Sequence, residues 1–338
     1  MTEATRPASR PGAAVAEQPQ PERHLHGHFV LVTGAAGFVG AHVCRQLTER
    51  GARVRALVRS PVKAAERLAP MPLELHVGDV RDVTVLQRTM QGCDAVVHLA
   101  AIAIERRGQT YEDVNRGGTE RVLDAMRAAG VRRLIHMSQN GAASSLPYRF
   151  LRSKGFAEDA VRASGTDWTI LRPSVIFGPE DEFVNVLARL VRLSPFVYPV
   201  PGGGTARFQP IAVDDVAEAV AAALAERDTI RQAYALGGPA QLTLRQMVER
   251  ILVAMDTKRL LVALPTSLLR PVIALLQRVL PNPPVTTELL DLLKIDNVVA
   301  GNALRDTFGI APTPFAPEEL AYLGTITARD ALRSLLGR

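Results

Sequence analysis

The sequence predicts an α/β fold built on a doubly wound parallel sheet, with a smaller, mostly helical C-terminal lobe. An apolar segment at residues 28–33 runs directly into glycines at positions 34, 37 and 40. From there to residue 172, strand-like apolar segments alternate with helical segments, which is typical of βαβ units. After Pro173 this alternation gives way to helices separated by Pro- and Gly-rich turns.

The alternating part of the chain predicts six parallel strands, at residues 28–33, 53–58, 73–77, 94–100, 132–138 and 167–172. Helices are expected between them, at residues 38–50, 82–90, 112–129 and 148–164. A doubly wound parallel sheet of this kind is of the Rossmann type, and it binds ligands at the carboxyl ends of its strands. Candidate site residues are therefore expected where each strand ends.

The spacing G-x-x-G-x-x-G after the first strand predicts a turn that binds a dinucleotide pyrophosphate. Gly34 permits the tight turn, Gly37 lets the backbone approach the phosphates, and Gly40 lets the helix pack on the strand. The helix N-terminus offers free N–H groups and a positive dipole end to the anion. The alternative is a glycine-rich turn without a ligand. The residues expected to bind here are Gly34, Ala36, Gly37, Phe38 and Val39.

The end of the second strand indicates which dinucleotide binds. An NAD site usually has an acidic residue there, whereas this chain has Arg59, with Lys63 one turn further on. Cations suit a 2′-phosphate, so NADP(H) is favoured over NAD(H); the alternative is a surface arginine without a ligand contact. After the third strand, Asp79 is expected to accept from the adenine amino group, and Val80 to pack on the ring. Leu99, Ala100 and Ala101 follow the fourth strand, where the backbone must pass close to the cofactor.

The C-terminal lobe is predicted from five helical segments, at residues 181–193, 214–227, 243–256, 266–280 and 286–294. A short strand at residues 233–236 interrupts them and is a candidate to return to the main sheet. The expected organisation is a disordered tail at 1–27, an NAD(P)-binding Rossmann domain at 28–178, and a substrate or partner lobe at 179–338. The tail is rich in Pro, Ala, Glu and Gln and lacks the features of a secretory or transit signal.

The composition of the chain limits the kinds of ligand and the cell compartment that are expected. The chain has 338 residues, 2 cysteines and a formal net charge of +6. Two cysteines without metal-ligand spacing predict neither a metal site nor a disulfide framework, which favours the cytoplasm. No basic run with interleaved aromatic residues points to nucleic acid. A basic body is compatible with an acidic cofactor, an anionic lipid or a negatively charged partner, or is simply a solvated surface.

The most apolar segment, Leu260 to Leu280, is interrupted by Pro265, Arg270, Pro271 and Arg278. It is therefore not expected to span a membrane. From Ser267 onward its aliphatic residues form one helical face, which predicts packing in the core of the second lobe. The alternative is a basic amphipathic helix on a membrane surface or a partner, peripheral at the inner face of the membrane.

Together these segments resemble the short-chain dehydrogenase/reductase superfamily, in its extended and atypical branches. The matching pieces cover roughly residues 28–240 in the family's order. They are TGAAGFVG (33–40), GDVRD (78–82), VVHLAA (96–101), VNRGGTERVLDA (114–125), ILRPSVIFGPED (170–181) and FQPIAVDDVAEAV (208–220). Finer details, in residues 149–154, 176–185 and 296–301, resemble the branch that includes accessory subunit nine of the alpha subcomplex of respiratory complex I.

The resemblance implies a catalytic Tyr, Lys and Ser, of which only the lysine is matched, by Lys154. In the family the Tyr transfers the proton, and the Lys binds the ribose and lowers the Tyr pKa. Four residues before Lys154 stands Phe150, which has no hydroxyl, and Gln139 takes the place of the Ser. Tyr148 is close in sequence but lies on another helix face. Pro173 matches a position that packs near the nicotinamide.

Two functions of different classes follow. The first is a protein that binds NADP(H) as a structural or sensing ligand and associates with a membrane-bound, quinone-linked respiratory complex. The second is a working oxidoreductase on an apolar carbonyl or quinone, with Tyr148, a water or the substrate supplying the proton. A nucleotide-sugar epimerase or dehydratase is a weaker alternative, because that chemistry depends on the tyrosine that Phe150 replaces.

Overall fold

The computed structural model describes residues 24–106, 108–280 and 283–335. Its strands are β1 Phe29–Thr33, β2 Arg53–Val58, β3 Leu73–Val77, β4 Ala95–His98, β5 Arg133–Met137, β6 Asp167–Pro173, β7 Ile176–Phe177, β8 Val197–Pro201, β9 Arg207–Phe208, β10 Ile211–Ala212, β11 Gln232–Leu236, β12 Leu242–Thr243 and β13 Leu260–Leu264. Its α-helices are α1 Phe38–Glu49, α2 Pro61–Leu68, α3 Val83–Met90, α4 Gly117–Ala129, α5 Arg149–Ala163, α6 Val184–Leu193, α7 Val213–Ala225, α8 Leu244–Ala254, α9 Thr266–Val279, α10 Thr287–Leu292, α11 Ala303–Asp306 and α12 Ala328–Leu335.

The main sheet of the described residues has seven strands in the order β11-β6-β5-β4-β1-β2-β3. All of its pairings are parallel. The chain adds strands in one direction from β1 to β3 and in the other direction from β4 onward. This reversal places a topological switch point between β1 and β4, where a doubly wound sheet binds its ligand. The predicted Rossmann-type α/β fold is confirmed.

Helices cover both faces of this sheet, because both faces of its central strands are apolar. All five residues of β1 are buried. Helices α1, α2 and α7 pack in the core on one face, and α3, α4 and α5 pack on the other. A parallel sheet buried on both sides reads as continuous apolar runs rather than as alternation, which is what the sequence shows.

The C-terminal lobe has a separate apolar cluster, formed largely by α6, α8 and the segment around Phe315 and Leu320. Short strand pairs accompany its helices: β8 pairs with β13, and β9 pairs with β12. The segment after Gly178 also returns to the main sheet, since β11 pairs with β6 and α7 packs in the same core as α1. The division of the chain at residues 178 and 179 stays a prediction.

Of the predicted N-terminal tail, residues 1–23 lie outside the described residues. Residues 24–27 are described. Leu25 is fully buried, and its N–H donates to the carbonyl of Arg50 at 2.8 Å. These four residues are therefore part of the folded body rather than of the tail.

Two helix starts differ from the sequence expectation for local reasons. The segment expected as a helix from residue 112 begins as a π-helical turn, Glu112–Arg116, before α4. The helix expected from residue 181 begins at Val184, after the N-cap residue Phe183. The buried Asp181 carboxylate accepts from the backbone N–H groups of Phe183 and Val184 at 2.7 and 2.5 Å, and these bonds form a turn that precedes the helix.

Helix α9 corrects one expectation. The sequence predicted that its aliphatic face packs in the core of the second lobe, yet none of its residues is buried. Leu268, Val272, Leu275 and Val279 are each more than half exposed. The core-packing prediction is wrong, because the outward face has no described element over it. No helix among the described residues is long and apolar enough to cross a membrane.

Candidate functional site

The glycine-rich turn between β1 and α1 is shaped by close backbone approaches. Gly34 has a φ of +71°, and a Cβ built there would lie 2.9 Å from the backbone nitrogen of Ala100. The N–H of Gly37 donates to the carbonyl of Gly34 at 2.9 Å, which closes the turn. A Cβ on Gly40 would lie 2.1 Å from the same carbonyl oxygen. Gly34 and Gly40 must therefore lack a side chain for β1, α1 and the chain after β4 to meet.

The N-terminus of α1 faces the switch point without a side-chain cap. Gly37 is the N-cap residue, it is exposed, and the first turn contains no acidic residue. The N–H groups at Phe38 and Val39 are thus available to an anion, which the helix dipole also favours. Ala36, half-buried in the turn, has its carbonyl bound by a guanidinium nitrogen of Arg67 at 3.2 Å.

Arg67 was not predicted as a site residue, although it lies one turn after Lys63 on α2. Besides the Ala36 carbonyl, its guanidinium contacts the Glu180 carboxylate at 2.7 Å. Glu180 follows β7 and has a φ of +71°. The Arg67–Glu180 pair therefore joins the second lobe to the glycine-rich turn. The i, i+4 spacing of two cations on the helix after β2 was the available signal.

The ends of β2 and β3 carry the predicted adenine-side residues. Arg59 is exposed, and its guanidinium donates to Oε1 of Gln109 at 3.1 Å. The Lys63 side chain has no carboxylate partner among the described residues, and its backbone N–H donates to Ser60 Oγ. Val80 is buried. Two cations without acidic partners thus lie on consecutive segments after β2.

Asp79 is ionised and held in place by Arg81. The Arg81 backbone N–H and Nε donate to one carboxylate oxygen at 2.9 and 3.0 Å, and a terminal nitrogen donates to the other oxygen at 3.0 Å. Burial would raise the pKa of Asp79, but these contacts outweigh it and the pKa is lowered. The carboxylate remains an acceptor with unused lone pairs.

The chain after β4 forms the floor of the crevice. The Leu99 N–H donates to the carbonyl of Thr33 at 3.3 Å, and the Ala100 N–H donates to Thr33 Oγ1 at 3.4 Å. Leu99 and Ala100 are half-buried, and Ala101 is exposed. Because small residues follow Leu99, the backbone lies directly against Gly34.

Lys154 lies at the other end of the crevice, on α5. It is 6% exposed, and its Nζ donates to the carbonyl of Met137 at 2.6 Å. Burial lowers the pKa of Lys154 to about 8, with Glu158 acting weakly in the opposite direction. A buried ammonium with one protein acceptor retains donors for further oxygen atoms. Phe150 and Gln139, the two positions without a hydroxyl, are half-buried.

The surroundings of Phe150 show two residues that the sequence did not indicate. The Phe150 ring packs against Tyr111, with centroids 5.7 Å apart, and its backbone N–H donates to Glu288 on α10 at 2.9 Å. Tyr111 donates its hydroxyl to the carbonyl of Ala103 at 2.8 Å, and burial raises its pKa. Glu288 comes from a distant segment, so no local pattern could have placed it here.

Asn115 and Pro173 hold neighbouring parts of this corner. The Asn115 amide bonds the backbone of Ile102 and donates to Ser153 Oγ at 3.0 Å, which is a structural role. Pro173 ends β6, and its carbonyl accepts from the Asn140 N–H at 2.9 Å. The Asn140 side chain donates in turn to Oδ1 of Asn297 at 2.9 Å, so the segment at 296–301 closes on the site.

A buried polar cluster lies beside Lys154. His98 bonds Thr33 and Thr119 through its two ring nitrogens at 2.7 and 3.0 Å, and burial followed by the charge of Lys154 lowers its pKa to about 3. The His136 ring is 5.5 Å from His98, and the same two causes lower its pKa well below the usual value. Both ring nitrogens of His136 and the Ser138 hydroxyl are buried without a protein partner. Both imidazoles are therefore neutral beside the ammonium.

These features define a dinucleotide-binding protein with a Rossmann-type site at the switch point of its sheet. Within the described residues, no group of three or more His, Cys, Asp or Glu side chains could hold a metal ion.

Comparison with known proteins also indicates a dinucleotide-binding protein. Residues 34–227 match the NAD(P)H-binding family. Over 298 residues the chain is 31% identical to alpha subcomplex subunit 9 of NADH dehydrogenase from Arabidopsis thaliana, covering 83% of this chain and 73% of that relative. Over 189 residues it is 36% identical to ceramide reductase from Caulobacter vibrioides, covering 56% of this chain and 58% of that relative.

Solved structures show the same fold. The NADPH-dependent quinone oxidoreductase QOR2 from Escherichia coli, complexed with NADPH, aligns with a TM-score of 0.71 at 21% identity, covering 87% of this chain and 99% of that one. The chain belongs to the NAD(P)H-binding family of short-chain dehydrogenase-like proteins, in the branch that includes subunit 9 of the complex I alpha subcomplex.

Proposed function

We propose that this chain holds NADP(H) as a structural or sensing ligand and associates with a membrane-bound, quinone-linked respiratory complex. One observation carries the proposal: a cradle suited to a dinucleotide lies next to a catalytic corner with Phe150 in the tyrosine position. Gln139 also lacks the hydroxyl that would orient a substrate oxygen. Binding groups are thus present where proton-transfer groups are missing.

The residues on each side of the crevice fit the proposed ligand. The uncapped N-terminus of α1 receives the pyrophosphate, and Gly34 and Gly40 leave no side chain in its way. Asp79 and Val80 are suited to the adenine. Lys154 directs an ammonium at the ribose hydroxyls. A bound cofactor would be able to supply or accept a hydride, and this chain's own residues would hold it in position.

The preference for NADP(H) over NAD(H) is supported by Arg59 and Lys63. Neither side chain forms an ion pair with a carboxylate among the described residues, and the Arg59 guanidinium donates to the neutral Gln109 amide, so the charge of both cations remains available to a 2′-phosphate. Charged hydrogen bonds contribute roughly 1.5–3 kcal/mol. We expect Arg59→Ala to weaken NADPH about tenfold or more and to leave NADH nearly unchanged, as measured by titration calorimetry.

A matched control for this titration is Arg132→Ala, since Arg132 is an exposed arginine immediately before β5, far from Arg59 in sequence and paired with Asp167. It should leave both affinities unchanged. Equal affinity of the wild-type protein for NADPH and NADH would refute the preference.

The proposed association with a respiratory complex is supported by the similarity to subunit 9 of the complex I alpha subcomplex. We further propose that the chain is cytoplasmic and peripheral at the inner face of the membrane. Purification from the native source under mild detergent tests it. We expect the chain to co-migrate with an NADH:quinone oxidoreductase activity and to carry NADP(H). Recovery only as a free protein in the soluble fraction would contradict the association.

The non-catalytic role is tested by NADPH oxidation with a panel of quinones and carbonyls. The loss of a positioned proton donor typically costs about 10²–10⁴ in rate. We therefore expect turnover well below ordinary enzyme rates of roughly 1–10³ per second. Turnover within that range would show that another group supplies the proton.

The second candidate function is an active reductase for an apolar carbonyl. It is supported by the similarity to ceramide reductase and by the pKa of Lys154, lowered by burial to about 8. Tyr148, the N-cap residue of α5, is the nearest tyrosine in sequence to supply a proton. NADPH oxidation that requires a long-chain ketone and is lost in Tyr148→Phe would favour this candidate.

A further inference from the structure

Helix α9 presents an aliphatic surface to solvent, which we call the α9 face. Its residues recur at spacings of four, three and four, so they line one side of the helix. They are Leu268, Val272, Leu275 and Val279, with exposed fractions of 62, 55, 61 and 69%, flanked by Leu276 at 38%. A stripe of aliphatic side chains that is this exposed is typical of a surface that binds a protein or a membrane.

The opposite side of α9 is attached to the protein. Leu269 and Ile273 are half-buried, and the Arg270 guanidinium contacts both carboxylate oxygens of Asp291 on α10 at 2.9 and 3.0 Å. Gln277 accepts from the backbone N–H of Thr287 at 2.9 Å. The helix is therefore fixed by its inner side, and its apolar face points outward as a consequence of this attachment.

The segment that carries the α9 face is basic in sequence. Residues 257–280 contain Lys258, Arg259, Arg270 and Arg278 and no aspartate or glutamate. Arg270 is paired with Asp291 of α10 on the inner side of the helix, so it adds no net charge beside the α9 face. Arg278, in the last turn of α9, forms no ion pair within the described part of the chain. A cationic margin next to an aliphatic stripe is complementary to a surface that is apolar in depth and anionic at its edge.

The same lobe exposes apolar side chains where β8 and β13 begin. Phe196 is 80% exposed and Leu260 is 65% exposed, and the Leu260 N–H donates to the Phe196 carbonyl at 2.9 Å. Strand β13 leads through Pro265 directly into α9. Leu260 thus lies on the same continuous segment as the α9 face, and Phe196 lies next to β8, the strand that pairs with β13.

We propose that the α9 face lies in the interface of an anionic lipid bilayer, parallel to the membrane plane, with Arg278 at the headgroups. The inference rests on the membrane association in the proposed function and names lipid as the direct partner. Protein interfaces are anchored by aromatic and arginine side chains in shaped pockets. The α9 face has only aliphatic side chains, which suit acyl chains because these require no shape complementarity.

The experiment is flotation of the full chain with vesicles of phosphatidylcholine, with and without phosphatidylglycerol. We expect binding to the anionic vesicles to be at least about fivefold tighter, since each cation near the surface contributes about that factor. Leu268→Ser combined with Leu275→Ser should weaken binding at least tenfold. Arg278→Gln should reduce the advantage of anionic over neutral vesicles and leave binding to neutral vesicles unchanged.

The matched control combines Leu75→Ser with Leu332→Ser, two leucines that are 50 and 53% exposed outside α9. It should bind vesicles as the wild type does. A wild type that fails to float, or two double variants that float equally, would overturn the proposal. So would a dimer in sedimentation velocity that only the α9 variant dissociates, because a second copy would then cover the face.

Bound NADP(H) is measured on the same preparations. If the Leu268→Ser, Leu275→Ser variant loses vesicle binding and retains its cofactor, the loss is due to the α9 face and supports the lipid proposal. Vesicle binding without retained cofactor would refute the proposed cofactor role and leave the lipid inference standing.

Discussion

The glycine-rich turn and the first turn of α5 lie at two ends of the same crevice and are built in different ways. At the turn, the binding surface is formed by backbone atoms, namely those of Gly34 and Gly37 and the N–H groups of α1. At α5, the family's chemistry depends on side chains, and here Phe150 stands on an otherwise regular helix. A side chain can change without disturbing its helix, whereas the turn cannot change without moving β1 and α1. Binding geometry and catalysis can therefore be lost separately.

The largest expected effect tests the backbone end. Gly40→Ala would place a Cβ 2.1 Å from the Gly34 carbonyl oxygen, so α1 would have to move away from β1. We expect a loss of about 3 kcal/mol in the free energy of unfolding and loss of NADPH binding. Thermal and denaturant melts measure the first effect. Gly301→Ala is the control, because a Cβ there meets nothing within 4 Å.

The second effect tests the side-chain end. Phe150→Tyr restores a hydroxyl four residues before Lys154, and we expect slow reduction of an apolar carbonyl at about 10² times the wild-type rate. Full activity is not expected, because Gln139 cannot orient the substrate oxygen. Phe150→Leu should show no gain. If Phe150→Tyr binds NADPH normally and gains nothing, the missing hydroxyl is not what limits turnover.

The smallest effect tests Lys154, which also lies at the α5 end of the crevice. The folded protein releases the Lys154 proton near pH 8, whereas the unfolded chain holds it to about pH 10.5. The unfolded state therefore binds more protons in this window, so this group's contribution to stability rises with pH from about 8 to 10.5. Below pH 8 the buried charge is destabilising in full.

Lys154→Met removes this dependence. The difference in unfolding free energy between wild type and variant should change by about 1 kcal/mol in favour of the wild type between pH 7.5 and 9. Denaturant melts of the two proteins across this range measure it. A difference that does not change with pH would show that Lys154 keeps its ordinary pKa when folded.

Local patterns accounted for much of the fold and part of the site. The strand before Gly34, the helix after it and the βαβ alternation depend on neighbouring residues, and the structure has them within one or two positions. The end of the fourth strand came out at His98 rather than at residue 100. The contacts of Arg67, Glu288 and Asn297 were not predicted, because each contact joins segments that are distant in sequence.

The sequence by itself determined the parallel sheet, the glycine-rich turn and the absence of a hydroxyl at Phe150, since these depend on residue identity and short-range periodicity. Only the tertiary structure decided that β11 joins β6, that Lys154 is buried against the carbonyl of Met137, and that the α9 face points outward. Periodicity shows that a helix has an apolar side. Whether that side is covered depends on where distant segments pack, and for α9 the contacts with α10 turn it toward solvent.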